Sequence, residues 1–325
     1  MRMDRTGCFC APPTKFMSLA KFINKILGRF DVAIVKKSSL ERLAGGQQAA
    51  LRGDEFAATL KEIKETLELN HKQQLRHQIS AKWDMVDAFE RDRILETELT
   101  CPLCGHHNGL SEFAKFVTNC IFGGGELIRY GCPACDVIFG PEKMLRLSEA
   151  ELSRDYEWHY QVFTEGDSTA QEVRAFHALA PEKNGVYLNW GAGAWSDSTN
   201  ILRQEGWNVY GYEPHGSAST GSPYFISDKA QLLTMQFDGI FSNNVLEHLR
   251  HPERELATMS SLLAKGGKMS HATPCFEYLY EFTRFHLFFF PGRSRAVLAD
   301  KAGLRIDGFV SDGEFMNLIL SPRAE

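Results

Sequence analysis

The spacing of apolar and polar positions changes along the chain, and each change predicts a different kind of structure. In KFMSLAKFINKILGRF (residues 15–30), Phe16, Leu19, Phe22, Ile23, Ile26, Leu27 and Phe30 recur at helical spacing, with Lys15, Lys21, Lys25 and Arg29 on the other side. A basic amphipathic helix of this kind has two uses: packing against protein, or peripheral contact with a membrane surface. Residues 31–53 are mixed and broken by Gly45 and Gly46. From Asp54 to Thr100 there is neither Gly nor Pro. Phe56, Leu60, Ile63 and Leu67 follow 4-3-4 spacing, and Leu75, Ile79, Trp83, Val86 and Phe89 continue it less strictly. One long helix or two are predicted. The ordered repeat is too short for a coiled coil, so residues 54–95 read as a packing segment or a homodimer surface.

Residues 101–140 hold cysteines, glycines and aromatics around FGGGE. From 151 onward, strand and helix patterns alternate. GVYLNW, WNVYGYEP, YFISD, FDGIFSNN and KMSHATP read as strands, and STNILRQEG, PERELATMSSLLAKGG and RSRAVLADKAG as helices. LRIDGFV and FMNLILSPR close the chain, joined by a link short enough for an antiparallel hairpin. The expected fold class is α/β: a Rossmann-like, mostly parallel, seven-stranded sheet covered by helices. The expected domains are a helical segment over 1–100, a cysteine-bearing zinc ribbon over 101–150 and the α/β domain over 151–325.

Charge narrows the choice of partner. Residues 1–100 carry 17 Lys and Arg against 14 Asp and Glu, residues 101–150 carry 4 against 5, and residues 151–325 carry 15 against 22. No large segment has the basic surplus that a nucleic-acid backbone demands, so the sequence predicts no nucleic-acid partner. No run approaches a membrane-spanning length, and the first residues have no signal-peptide core. The expected location is cytoplasmic, with residues 15–30 available for peripheral membrane contact.

Four of the eight cysteines form two C-x-x-C pairs, Cys101/Cys104 and Cys132/Cys135. Each pair lets one tight turn supply two sulfurs, and two such turns close a structural zinc site with four thiolates. His106 and His107 lie close enough to replace a ligand, although polar-loop histidines are more often solvated. Cys8, Cys10, Cys120 and Cys275 have no matching partner and read as ordinary residues.

The strand GVYLNW runs into NWGAGAW (189–195) and then a helix. The dinucleotide pattern fails at Ser196, and no phosphate-loop Gly-Lys-Ser/Thr follows. What remains is a loop that brings a ligand close to the backbone at Gly191 and Gly193, and an acid, Glu213, after the next strand. A carboxylate there offers paired acceptors to two ribose hydroxyls.

Together, LNWGAGAW, YEP, FDGIFSNNVLEHL and LLAKGGKM resemble, in order and spacing, the class I S-adenosylmethionine-dependent methyltransferases, over roughly residues 185–323. The resemblance implies S-adenosylmethionine as cofactor. Gly191 and Gly193 would line its methionine and ribose side, Glu213 would hold the ribose, Asp228 would touch adenine, and Asn243 would face the amino-acid part. Glu247 and His248 would shape the pocket wall. Asn189 stands where the family has an acid that organises the loop and the cofactor's amino group, and is expected to bind the cofactor there through its amide oxygen; Trp195 stands where the family has a third glycine.

After the fifth strand comes CFEYLYEFTRFHLFFFPGRSR (275–295), a place where this family commonly shapes its acceptor pocket. Its phenylalanines read mostly as packing. Arg284, Arg293 and Arg295 could clamp anionic groups, and His286 is the expected catalytic base, since histidine titrates near neutral pH; Tyr278, Tyr280 and Glu281 are lesser candidates. With DYEWHY (155–160) and the cysteine module ahead of the sheet, the chain also resembles deoxysugar C-methyltransferases. Phe285 takes the place of that motif's Glu. DVAIVKKSSLERLAG is similar to leaders of methyltransferases from bacterial surface-glycan pathways. The implied function is methyl transfer to a small or glycan-linked acceptor, a sugar by preference. Two alternatives stand beside it: a non-catalytic binding relative, motivated by Asn189 and Trp195, and a zinc-ribbon RNA methyltransferase.

Overall fold

In a computed structural model, the described residues are 53–91, 97–164, 166–193, 196–214, 222–279, 282–313 and 315–323. The amphipathic stretch 15–30, Trp195, Tyr280 and Glu281 lie outside them. The chain divides into two compact units, residues 1–67 and 68–325. Among the described residues of the first unit is the start of helix α1 (Gly53–Arg91), along which Leu60, Ile63 and Leu67 are exposed. With no Gly or Pro to interrupt it, α1 is a single helix. In the second unit Leu75, Ile79 and Trp83, four residues apart, share one face and are buried. No helix among the described residues is long and apolar enough to cross a membrane.

Strands β1 (Glu98–Thr100) and β2 (His107–Gly109) form a small antiparallel pair around the first cysteine turn. β3 (Ala114–Asn119) and β4 (Glu126–Gly131) are the arms of a hairpin, and β5 (Ile138–Phe139) follows the second cysteine turn. The hairpin accounts for the long gap between the two C-x-x-C pairs. Then come α2 (Glu142–Leu145), α3 (Glu149–Val162) and α4 (Thr169–Ala178). A capping box between Ser148 and Glu151 starts α3 and is the local signal for a helix the apolar spacing did not specify.

The large sheet begins at β6 (Val186–Trp190), followed by α5 (Ser198–Gln204), β7 (Asn208–Tyr212), β8 (Phe225–Ile226), α6 (Lys229–Leu232) and β9 (Phe237–Asn243). After these come α7 (Pro252–Ser261), β10 (Leu263–Ala272), β11 (Phe288–Phe289), α8 (Ser294–Lys301), β12 (Leu304–Ser311) and β13 (Met316–Pro322). Strand order in the seven-stranded sheet is β12-β13-β10-β9-β6-β7-β8. All neighbours are parallel except β13, which runs antiparallel to both β10 and β12. The fold is thus Rossmann-like, with the expected antiparallel hairpin at one end.

One element differs from its sequence reading. The apolar period carries a helix through Lys265, yet α7 stops at Ser261. Leu263 already pairs with Phe237, and the register breaks between Leu263 and Lys268, where Gly266 takes a φ of +85°. Pairing with the neighbouring strand overrides helical period here. In addition, β11 leaves the large sheet and pairs with β5, giving a second sheet of order β11-β5-β4-β3. Phe285, Leu287, Phe288, Phe289 and Phe290 are all buried around this junction, so most of the aromatic run is core.

Candidate functional site

In a sheet of this order, the chain leaves β6 towards β7 on one side and returns as β9 on the other. Such a reversal opens a crevice at the carboxyl ends of the strands. The glycine loop lies there. Gly191 and Gly193 have φ of +73° and +56°, a region that side chains disfavour. A Cβ on Gly191 would fall 2.6 Å from Val245 Cγ2, so glycine is also needed for close approach to the segment after β9. The amides of Gly191 and Ala192 both donate to the Tyr212 carbonyl, at 2.8 and 3.0 Å. Gly193 N–H donates to the Glu213 carboxylate at 3.2 Å, which puts the expected ribose-binding acid directly at the loop. Asn243 ends β9 at the same edge and is buried. The Asp228 side chain accepts from Ala230 N–H at 2.8 Å and caps α6.

Asn189 is fully buried, with its amide turned beneath the loop. Its Nδ2 donates to Glu172 at 2.6 Å and to Ser198 Oγ at 3.1 Å. Glu172, from α4, also accepts from Ser168, Ser196 and Ser198 at 2.6, 2.8 and 2.5 Å. Burial raises the Glu172 pKa above the ordinary carboxylate value, against the hydrogen bonds that lower it. An acid therefore does organise this loop, but it comes from the helix before the strand. Nothing local in the sequence marks Glu172, because its partners lie 4 to 26 residues away.

Glu247, His248, Cys275 and His286 gather at the ends of β9 and β10. Glu247 is buried and accepts from Thr273 Oγ1 at 2.6 Å. Cys275 Sγ lies 3.7 Å from His286 Nδ1. His248 meets His286 edge to face, ring centroids 4.8 Å apart, and its Nδ1 meets Tyr156 Oη at 2.9 Å. Burial holds the His248 pKa well below the usual value, so that ring is neutral at physiological pH. The expected base, His286, is carried on backbone fixed from several sides. Arg129, buried on β4, donates to the carbonyls of Thr283 at 2.6 Å and of His286 at 3.0 and 3.2 Å. Leu287 N–H donates to the Glu247 carbonyl at 2.7 Å. Arg129 gave no sequence signal, since its partners are more than 150 residues away.

The three arginines expected to clamp an anion are engaged elsewhere. Arg284 is fully buried and pairs with the equally buried Asp155 at 2.6 Å. Arg293 forks onto Asp136 at 2.8 and 2.9 Å, and donates to the Pro133 carbonyl at 3.1 Å. Arg295 donates to the Phe276 carbonyl at 3.1 Å. Of the three, Arg284 is the guanidinium fully removed from water, and buried Asp155 supplies its counter-charge.

The four cysteines of the C-x-x-C pairs converge, with all sulfurs within 4.8 Å of one another. Cys101 and Cys135 are 3.8 Å apart, and Cys104 and Cys132 are 3.7 Å apart. A tetrahedron with zinc–sulfur bonds of about 2.3 Å has edges of about 3.8 Å, so the donors fit zinc. The two turns are alike: Cys101 and Cys132 accept through their carbonyls from Gly105 and Asp136, at 3.0 and 2.9 Å. Both of those residues are left-handed, with φ of +79° and +68°. Asp136 tolerates this conformation under the Arg293 fork. The adjacent histidines point elsewhere: His107 bonds to Thr100 and Glu98, and the His106 ring packs on Phe113.

No curated protein matches the chain in sequence. Among solved structures, it is similar to a methyltransferase in calicheamicin biosynthesis in its SAH-bound form, with 13% identity over 54% of this chain and 59% of that one, at a TM-score of 0.38. It is also similar to the mitomycin 7-O-methyltransferase, with 11% identity over 56% and 60% of the two chains, at a TM-score of 0.40. A third is the SAM-bound magnesium protoporphyrin IX methyltransferase from Synechocystis PCC 6803, with 16% identity over 47% and 79%, at a TM-score of 0.34. The chain thus covers about three fifths of the length of the first two. Residues 164–308 match the family model described as a methyltransferase domain.

Proposed function

We propose that the protein transfers the methyl group of S-adenosylmethionine to a small or glycan-linked acceptor, a sugar by preference. The observation that carries this reading is the Gly191–Gly193 loop, with Glu213 3.2 Å from the Gly193 amide, at the sheet's reversal point. The methyltransferase-domain match over residues 164–308 supports it. Gly191 and Gly193 would line the methionine and ribose side, Glu213 would turn its acceptors to the ribose, Asn243 would face the amino-acid part and Asp228 the adenine. Asn189 acts from below by fixing the loop through Glu172. The cofactor supplies an electrophilic methyl on a sulfonium. The protein's share is to hold methyl, sulfur and acceptor in line. Activation of the acceptor falls to His286 and the groups around it. Cys101, Cys104, Cys132 and Cys135 hold a structural zinc, whose four thiolates leave no position for substrate.

Calorimetric titration of the full chain with S-adenosylhomocysteine tests the reading, followed by a methyl-transfer screen against sugar nucleotides. Saturable binding that Glu213→Ala abolishes is expected. An absence of binding by a folded, zinc-loaded protein would overturn the enzymatic reading in favour of a binding role.

A further inference from the structure

We propose that Glu247, Cys275 and His286 form a second cation site, of the open kind, at the acceptor end of the crevice. Glu247 sits in the short turn after β9, Cys275 in the turn after β10, and His286 in the stretch leading to β11. One donor atom from each lies within 4.8 Å of the others. The Cys275 Sγ to His286 Nδ1 separation is 3.7 Å. For tetrahedral bonds of about 2.3 Å to sulfur and about 2.0 Å to nitrogen, the expected edge is about 3.5 Å, close to that separation.

The Glu247 carboxylate is held from behind, as metal ligands generally are, and the backbone that carries the other two donors is fixed. Thr273 Oγ1 donates to Glu247 at 2.6 Å and accepts from Cys275 N–H at 3.1 Å, so one hydroxyl sets two of the three donors. Arg129 fixes the His286 carbonyl, and the Leu287 amide ties that strand to the Glu247 backbone. His248 is not part of the set, because it is bonded to Tyr156 and to the Phe285 backbone. His286 is partly exposed, which leaves an edge for entry.

A thiolate, an imidazole and a carboxylate suit zinc or a similar borderline ion, not the all-oxygen cages of magnesium and calcium. The four-thiolate cluster closes its ion completely. Three protein ligands leave one position open, and that position would take an acceptor hydroxyl. The cation lowers the hydroxyl's pKa and its proton leaves to solvent. The oxygen's electron pair then forms the bond to methyl, while the carbon–sulfur pair stays on the sulfur. Val245, two residues before Glu247, faces Gly191 of the cofactor loop, so the two sites adjoin. This chemical role rests on the proposed function, whereas binding of the cation does not.

Cobalt(II) titration of the anaerobic full chain, loaded to about one zinc per chain so that only the four-thiolate cluster is filled, tests the site. Cobalt does not displace zinc from the four thiolates, since it binds more weakly. The expected result is about one further cobalt per chain with a thiolate-to-cobalt absorption band. That band should vanish in Cys275→Ser, and affinity should fall by more than about tenfold in Glu247→Gln, with zinc content and circular dichroism unchanged. If Cys275→Ser does not fold, Glu247→Gln, which keeps the Thr273 contact, decides the matter. No thiolate band, or equal cobalt affinity in Glu247→Gln, would overturn the site. S-adenosylhomocysteine calorimetry on the same preparation separates the two proposals: homocysteine-nucleoside binding without the cobalt band sinks only the cation site, and the reverse sinks only methyl transfer.

Discussion

Asn189→Asp would restore the acid that the resembling family carries at this strand end, yet here it should harm the protein. Asn189 Nδ2 lies 2.6 Å from a Glu172 oxygen, and both side chains are buried. Two carboxylates at that separation would repel by about 6 kcal/mol at an effective dielectric of about 20. The cheaper response is to keep one of them protonated. At neutral pH, holding a proton on a carboxyl of ordinary pKa near 4 costs about 4 kcal/mol. Protonation therefore decides, and a loss of about 4 kcal/mol is the ceiling. The pair's folded pKa is raised, in the direction burial already pushes Glu172. Its stability contribution is then full below the unfolded pKa and lost as pH rises through the folded value. The penalty should fall to about 1 kcal/mol near pH 5 and be largest at neutral pH. Adding Glu172→Gln removes the second charge and should recover most of the loss. Urea unfolding of the wild type, both single variants and the double variant, at about pH 5 and about pH 7, measures all of this. If Asn189→Asp cost nothing at neutral pH, or cost the same at both pH values, the reading of Glu172 as the displaced loop acid would be refuted.

Gly191→Ala meets a left-handed backbone worth about 1–2 kcal/mol and an overlap with Val245 worth about 1–3 kcal/mol. S-adenosylhomocysteine affinity should fall with it, and Val245→Ala should relieve only the overlap; full recovery would show the backbone conformation to be unimportant. Arg129→Met removes the donors to the Thr283 and His286 carbonyls and should cost about 2–4 kcal/mol in urea unfolding. Methyl-transfer turnover should fall further than cofactor affinity, and equal losses in both would deny Arg129 a positioning role. Stripping zinc with a chelator should disorder the cysteine turns, seen as loss of near-ultraviolet circular dichroism from Phe113 and Tyr130; an unchanged spectrum would mean that the cluster needs no metal.

The cysteine pairs and the glycine loop were legible because their chemistry is local. C-x-x-C brings two sulfurs together within one turn, and a glycine pair after an apolar strand marks a left-handed crossing wherever the rest of the chain goes. The order of strands and helices was legible for the same reason, since period and turn residues are properties of short windows. Tertiary structure decided what lies beneath and around these features. Asn189 looked like a lost charge, and the fold returns that charge from α4 through Glu172. Arg284, Arg293 and Arg295 looked available to an anion, and the fold spends them on Asp155, on Asp136 and on the Phe276 carbonyl. Cys275 looked solitary, and the fold sets it beside His286. Each of these outcomes depends on which distant partners the fold brings together, and for Asn189, Arg284 and Cys275 that meeting place is buried. Burial makes an unpaired charge or hydrogen-bonding group costly, so the chain's long-range packing, not its local pattern, chooses the partner.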